Sequence, residues 1–122
     1  MPGIQTVRIP VTTTGTAGAA VGSTTSETLI GFLLDVYLDF HGTAPATTDT
    51  TIAYPQGGNI LVVTSSATDV RLAPRQKLVD NANAAITNSN DRFPLNGPIT
   101  VSLAECDALT DAVVAYVRVL QP

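Results

Sequence analysis

An all-β fold, an antiparallel two-sheet sandwich or jelly roll, is what this sequence predicts, and three observations carry the prediction. Stretches of period two recur along the chain, as in IQTVRIPV (4–11) and AVVAYVRVL (112–120), and that is the period of a half-buried strand. Threonine is clustered at Thr12-Thr13-Thr14, Thr24-Thr25 and Thr47-Thr48, and its β-branched side chain favours a pleated surface. Eight prolines and nine glycines punctuate the chain, and between them no segment shows the helix of ten or more residues that a parallel crossover needs. A length of 122 residues fits one domain around one core.

The elements follow in order. In residues 4–11, Val7, Ile9 and Val11 share one side and Thr6 and Arg8 the other, while Pro10 restricts the segment to an edge strand or an arm. Residues 12–26, TTTGTAGAAVGSTTS, hold small and hydroxylated side chains, so residues 1–26 read as an extended N-terminal arm or edge strands, partly ordered on a partner. The sandwich domain then spans 27–122. Its firmest strand is LIGFLLDVYLDF (29–40), where Ile30, Phe32, Leu34, Val36, Leu38 and Phe40 form an unbroken even-numbered apolar series. Gly42 and Pro45 mark a turn before a strand at 49–54, and Pro55-Gln56-Gly57-Gly58-Asn59 marks another.

Ile60 to Thr64 reads as a buried strand and Val70 to Ala73 as a shorter one ended by Pro74. Residues 75–98 form a long polar connection, with a short helix or strand around Ala84 to Thr87. Alternation resumes at Ile99 to Leu103, and Glu105-Cys106-Asp107 reads as a turn or a single helical turn. Ala112 to Leu120 closes the fold, for about seven or eight strands in all.

Composition excludes several functions. A net charge of −4 and a pI near 4.5 argue against nucleic acid or an anionic membrane as partner, since both need a basic footprint. No stretch approaches the eighteen or so apolar residues of a membrane span, and no export signal is recognisable. Cys106 is the only cysteine, so no intramolecular disulfide forms and the chain fits a reducing compartment.

The one cluster that invites chemistry is Asp35, Asp39 and His41. On a strand they share the side opposite the even series, about 6.8 Å apart per pair of residues and about 20 Å from first to last. Only Asp39 and His41 could reach one metal, a stable site wants a third ligand, and the chain has no second histidine. The cluster therefore reads as a solvated polar face, although a helix here would instead stack Asp35 on Asp39. Glu105 and Asp107 flank Cys106 and disfavour a thiolate nucleophile. Ser65, Ser66, Ser89 and Ser102 lie in no nucleophile elbow, and Gly57-Gly58 is no phosphate loop. The expectation is a non-enzyme without cofactor or metal.

Arg71, Arg75, Lys77 and Arg92 concentrate four of the six basic residues in 22 positions, either as a solvated loop or as a patch that docks on an acidic protein surface. Tyr37, Tyr54 and Phe93 read as core or edge residues. With no tryptophan and three tyrosines, the chain is short of the aromatic stock usual for sugar stacking.

Three motifs carry a resemblance: Pro74-Arg75, then Asp91-Arg92-Phe93-Pro94-Leu95, then Ile99-Thr100-Val101-Ser102. In this order between strands, they make residues 50–120 similar to small capsid decoration (cement) proteins of tailed bacteriophages. What the resemblance implies is a β-sandwich or jelly-roll virion protein on the capsid exterior, folded in the bacterial host cytoplasm. It would bind the major capsid protein of the same phage, bridge neighbouring subunits and associate with itself as a dimer or trimer, with no catalytic residues. A phage tail, baseplate or head-tail connector protein is the alternative, and a carbohydrate- or receptor-binding sandwich the next. On the cement reading, the expected contacts are the arm, through Ile4, Val7 and Ile9, and the basic connection, through Arg71, Arg75, Lys77 and Arg92.

Overall fold

Alternation becomes sheet in the computed structural model, which describes residues 3–79 and 81–122 and forms eleven strands in them with no helix. The strands are β1 (Gly3–Val11), β2 (Ala20–Thr25), β3 (Leu29–Phe40), β4 (Asp49–Ala53), β5 (Asn59–Val63), β6 (Val70–Leu72), β7 (Gln76–Val79), β8 (Ala85–Asp91), β9 (Pro94–Gly97), β10 (Thr100–Cys106) and β11 (Val113–Gln121). One sheet has the order β1-β11-β3, with β6 and β9 both paired to the far edge of β3; the other has the order β2-β10-β4-β5. All the pairings are antiparallel. The predicted two-sheet sandwich is the fold.

The core is drawn from the inward residues of both sheets. Val113, Ala115, Val117 and Val119 of β11 meet Ile52 of β4 and Val101 and Leu103 of β10, all at most 3% exposed. Each of these valine, leucine and isoleucine side chains taken from water contributes about 1.5–3 kcal/mol. One polar intruder is Thr50, whose hydroxyl is buried and makes no hydrogen bond among the described residues. A buried hydroxyl without a partner costs about 1–3 kcal/mol, and valine has the same shape. Thr50→Val is therefore expected to raise stability by roughly 1 kcal/mol, measured by urea denaturation.

Four sequence expectations need correction. Of the two readings of residues 1–26, residues 3–25 take edge strands and not an extended arm, because β1 pairs with β11 along its whole length and β2 pairs with β10, each as the edge strand of its sheet. Residues 1 and 2 of that expected arm, and Asp80 of the polar connection, lie outside the described residues. The strand count exceeds seven or eight because the polar connection contains three strands, β7, β8 and β9; β7 and β8 form a hairpin of their own. Cys106 ends a strand in place of a turn: β10 shifts register against β2 between Leu103 and Cys106, with Glu105 at φ 52°, and this bulge turns Cys106 into the core.

The fourth correction concerns the even series of β3. Arg118 opposes Asp35 but Val119 opposes Leu33, so Leu34 is an extra residue, and every side chain before it changes face. Val36, Leu38 and Phe40 face the core as predicted, whereas before the bulge the core takes Leu29 and Leu33 and leaves Ile30 and Phe32 at 53% and 45% exposure. The bulge lies where the edge partner of β3 changes from β9 to β6. There the guanidinium of Arg75 donates to the Leu34 carbonyl at 3.1 Å.

Candidate binding surface

The bulge determines what the outer face of the five-stranded sheet presents. Side chains stand in rows across neighbouring strands, because residues directly opposite in a ladder share a face. One row reads Arg8, Tyr116, Tyr37, Arg71 across β1, β11, β3 and β6. Beside it, Thr6, Arg118 and Asp35 form a second row. Beyond the bulge a third row reads Ile4, Leu120, Phe32, Pro94 across β1, β11, β3 and β9, with Ile30 next to it on β3. Ile4 and Phe32 are 59% and 45% exposed, so this is an apolar strip on an open sheet face.

A charged network holds the middle row. Arg118 donates from Nε to Asp35 Oδ1 at 2.8 Å and from Nη2 to Oδ2, and Arg71 Nη1 reaches Oδ1 at 3.3 Å. Hydrogen bonding from Arg118 lowers the Asp35 pKa below the ordinary carboxylate value against the opposing effect of burial, and the charges of Arg118 and Arg71 add to the lowering. Asp35 keeps only 6% exposure, so it is not part of a solvated face, although it does stand on the outer side of the sheet. Next to it the Arg71 guanidinium lies 5.3 Å from the centre of the Tyr37 ring, whose centre is 6.4 Å from that of Tyr116.

The opposite face of the sandwich differs in kind. Ser23, Ser102, Thr51 and Val62 form one row across the four-stranded sheet, and Thr25, Thr100 and Ala53 another, with the Thr25 and Thr100 hydroxyls bonded at 2.9 Å. Arginines, aromatic rings and large apolar side chains thus collect on the outer face of one sheet and small hydroxylated ones on the other.

The residues expected to contact a partner divide accordingly. Ile4 and Arg71 stand on the arginine-bearing face, while Val7 and Ile9 point into the core at 9% and 2% exposure and present no surface. Arg75, Lys77 and Arg92 are exposed around the base of the β7–β8 hairpin, with Arg75 engaged by the Leu34 and Pro74 carbonyls. Tyr54 and Phe93 are tilted against each other 6.5 Å apart, and the Tyr54 hydroxyl donates to the Pro94 carbonyl. His41 accepts from the Thr43 amide through Nδ1 at 3.1 Å. Among the described residues, no three His, Cys, Asp or Glu side chains converge on a metal position, and no pocket opens.

No family model matches the chain, and no curated protein matches it in sequence. Among solved structures it is similar to a mutant of a family 29 carbohydrate-binding module studied for ligand recognition, at 9% identity and a TM-score of 0.33, over 97% of this chain and 79% of that one. A score that low carries no argument about what this chain binds.

Sequence reading left out Arg8, Ile30, Phe32, Tyr116, Arg118 and Leu120 as binding residues. The outward parity of Arg8, Tyr116 and Arg118 was visible in the alternation of their strands. That Arg8 and Arg71 flank the two tyrosines follows only from the strand order.

Proposed function

We propose that the chain is a non-enzymatic docking module of a virion, which binds the outside of a phage capsid through the outer face of its five-stranded sheet and bridges major capsid subunits. The observation that carries the docking reading is the apolar row Ile4, Leu120, Phe32, Pro94 beside the arginine and tyrosine rows. Arginine and tyrosine are the residues most enriched where protein interfaces draw their energy, and a flat face suits a protein partner better than a small molecule. The capsid as partner is supported by the resemblance in the Asp91–Leu95 and Ile99–Ser102 motifs. In the fold the first motif is the return path from the hairpin: Leu33 donates to the Phe93 carbonyl at 2.9 Å, and Leu95 is buried. A tail, baseplate or connector surface would use the same face.

A cement protein stabilises a shell by adding contact area across subunit junctions, and many identical weak contacts on a closed shell sum to high avidity. The test is co-sedimentation with capsids stripped of decoration, comparing the wild type with Phe32→Asp. Saturable binding at a fixed ratio is expected for the wild type. A charge placed on the apolar row is expected to weaken it by roughly 30-fold or more, the loss typical of a central contact. Equal binding by both proteins would remove this face from the reading, and binding by neither would remove the capsid.

A glycan ligand is the second reading, because Tyr37 and Tyr116 are adjacent on an open sheet. Arg71 weighs against it, since its guanidinium already lies over the Tyr37 ring where a sugar would stack. A glycan array that gives binding lost in Tyr116→Ala would reverse that preference.

A further inference from the structure

The strand whose composition reads as a sheet interior stands at a sheet edge. β5 is the outermost strand of the four-stranded sheet, paired with β4 on one side. On its other side no hydrogen bond reaches residues 60–64 among the described residues. Its residues Ile60-Leu61-Val62-Val63-Thr64 contain no charge and no proline, and Val62 is 51% exposed. An open, uncharged, β-branched edge is what proteins ordinarily blunt, because it templates strand pairing.

The other edges are blunted. β1 carries Arg8 and Pro10, and the Pro10 carbonyl is taken by the Thr24 hydroxyl at 2.7 Å. β2 is covered by the chain after β1: Thr14 bridges to Val21, and a Cβ on Gly22 would lie within van der Waals overlap of the Thr12 carbonyl. β6 has three residues, β9 begins with Pro94, and the hairpin strands carry Lys77 and Asp91. Among the described strands, β5 alone is left open.

We propose that β5 pairs antiparallel with β5 of a second copy about a two-fold axis, joining two four-stranded sheets into one of eight. An antiparallel strand is complementary to itself under a two-fold, so one uncharged sequence serves both sides and no like charges meet. The β4–β5 ladder is regular from Leu61 to Val63 and shifts before them, which centres the pairing on Val62. Leu61 then opposes Val63 of the second copy on the core side, and the two Val62 side chains meet on the outer side. Because the far edge of each sheet is blunted, the assembly closes at two copies and does not grow into a fibre. The pairing uses neither the arginine-bearing face nor the capsid, and stands or falls apart from the docking reading.

The test is sedimentation velocity over a range of concentration for the wild type, Val62→Lys and Val62→Cys. The wild type is expected to show a concentration-dependent monomer–dimer equilibrium, which Val62→Lys weakens at least about tenfold by placing like charges opposite each other. Directly opposed residues in an antiparallel ladder have Cα atoms about 4.5–5.5 Å apart, inside the range of about 4.4–6.8 Å that a disulfide spans. Val62→Cys is therefore expected to form a disulfide-linked dimer on oxidation that reductant reverses, while the wild type, whose Cys106 is buried, does not. Val62 is half exposed on the outer face, so both variants should melt near the wild type; if the lysine variant unfolds, the cysteine cross-link decides. A wild type that stays monomeric throughout, a trimer, or a dimer that Val62→Lys leaves intact and Val62→Cys fails to cross-link would overturn the pairing.

Discussion

Gly31→Ala is expected to cost about 3–5 kcal/mol of folding free energy and to lower the melting temperature by roughly 10–25 °C, among the largest effects of adding one carbon to this chain. Gly31 lies in β3 just before the bulge, at φ +138°, a backbone conformation that L side chains rarely adopt. A Cβ there would stand 2.1 Å from the Leu120 carbonyl oxygen and 2.9 Å from its carbon. Both atoms are backbone, so no side-chain rotation relieves the overlap; either β3 separates from β11 or Gly31 abandons its φ, and each disrupts the pairing of Phe32 with Leu120. Gly42→Ala is the control, because its Cβ meets nothing within 4 Å and its φ is not in the positive range. It is expected to stay within about 0.5 kcal/mol of the wild type. Urea denaturation followed by circular dichroism measures both, and equal stabilities for the two variants would show that the strands do not approach as closely as described.

The same neighbourhood shows what was legible in the sequence and what was not. In β11 the alternate residues Val113, Ala115, Val117 and Val119 are all apolar and the other parity carries Tyr116 and Arg118, so the alternation fixes the inward face, and the structure agrees. In residues 29–34 both parities are apolar apart from Gly31, so either face satisfies the pattern and the Leu34 bulge leaves no local trace. The hairpin strand β8, AITNSND, is polar at most positions of both parities, and for that reason the sequence leaves helix and strand open around Ala84 to Thr87 and reads the rest as connection. Ile60 to Thr64 shows the converse error: composition describes what a strand can bury, whereas edge or centre is decided by neighbours distant in the chain. The binding face has the same origin. Its rows juxtapose residues 4, 32, 94 and 120, and no spacing rule on one segment brings those together.

Sheet order also turns Asp35 from a solvated carboxylate into the keystone of two arginines, and its replacement is the second large effect. Asp35→Asn keeps the shape of the side chain but leaves Arg71 and Arg118 facing one neutral amide, with their positive charges no longer compensated. Removing one member of a buried ion pair costs about 3–5 kcal/mol; here the arginine side chains are 54% and 43% exposed and water screens them, so about 2 kcal/mol at neutral pH is expected. The direction of the pKa shift sets the pH dependence. Asp35 titrates below its ordinary value of 3.8 in the folded protein, so the folded state favours the carboxylate. The stabilisation is then complete above the unfolded-state pKa of about 3.9 and is lost as pH falls through the lowered folded value. Urea denaturation from pH 8 down to pH 2 should give a wild-type advantage over Asp35→Asn that is level to about pH 5 and narrows below about pH 4. An advantage that persisted undiminished at pH 2 would assign it to packing instead of charge. Replacing Asp35 and Arg118 together by leucine is expected to recover part of the loss, since the only charge then left without its partner is that of Arg71, which is 54% exposed and screened by water. That double variant separates stability from binding: it recovers part of the stability but removes an arginine from the proposed docking face, so on the docking reading proposed above it should fold and still bind its partner less tightly than the wild type.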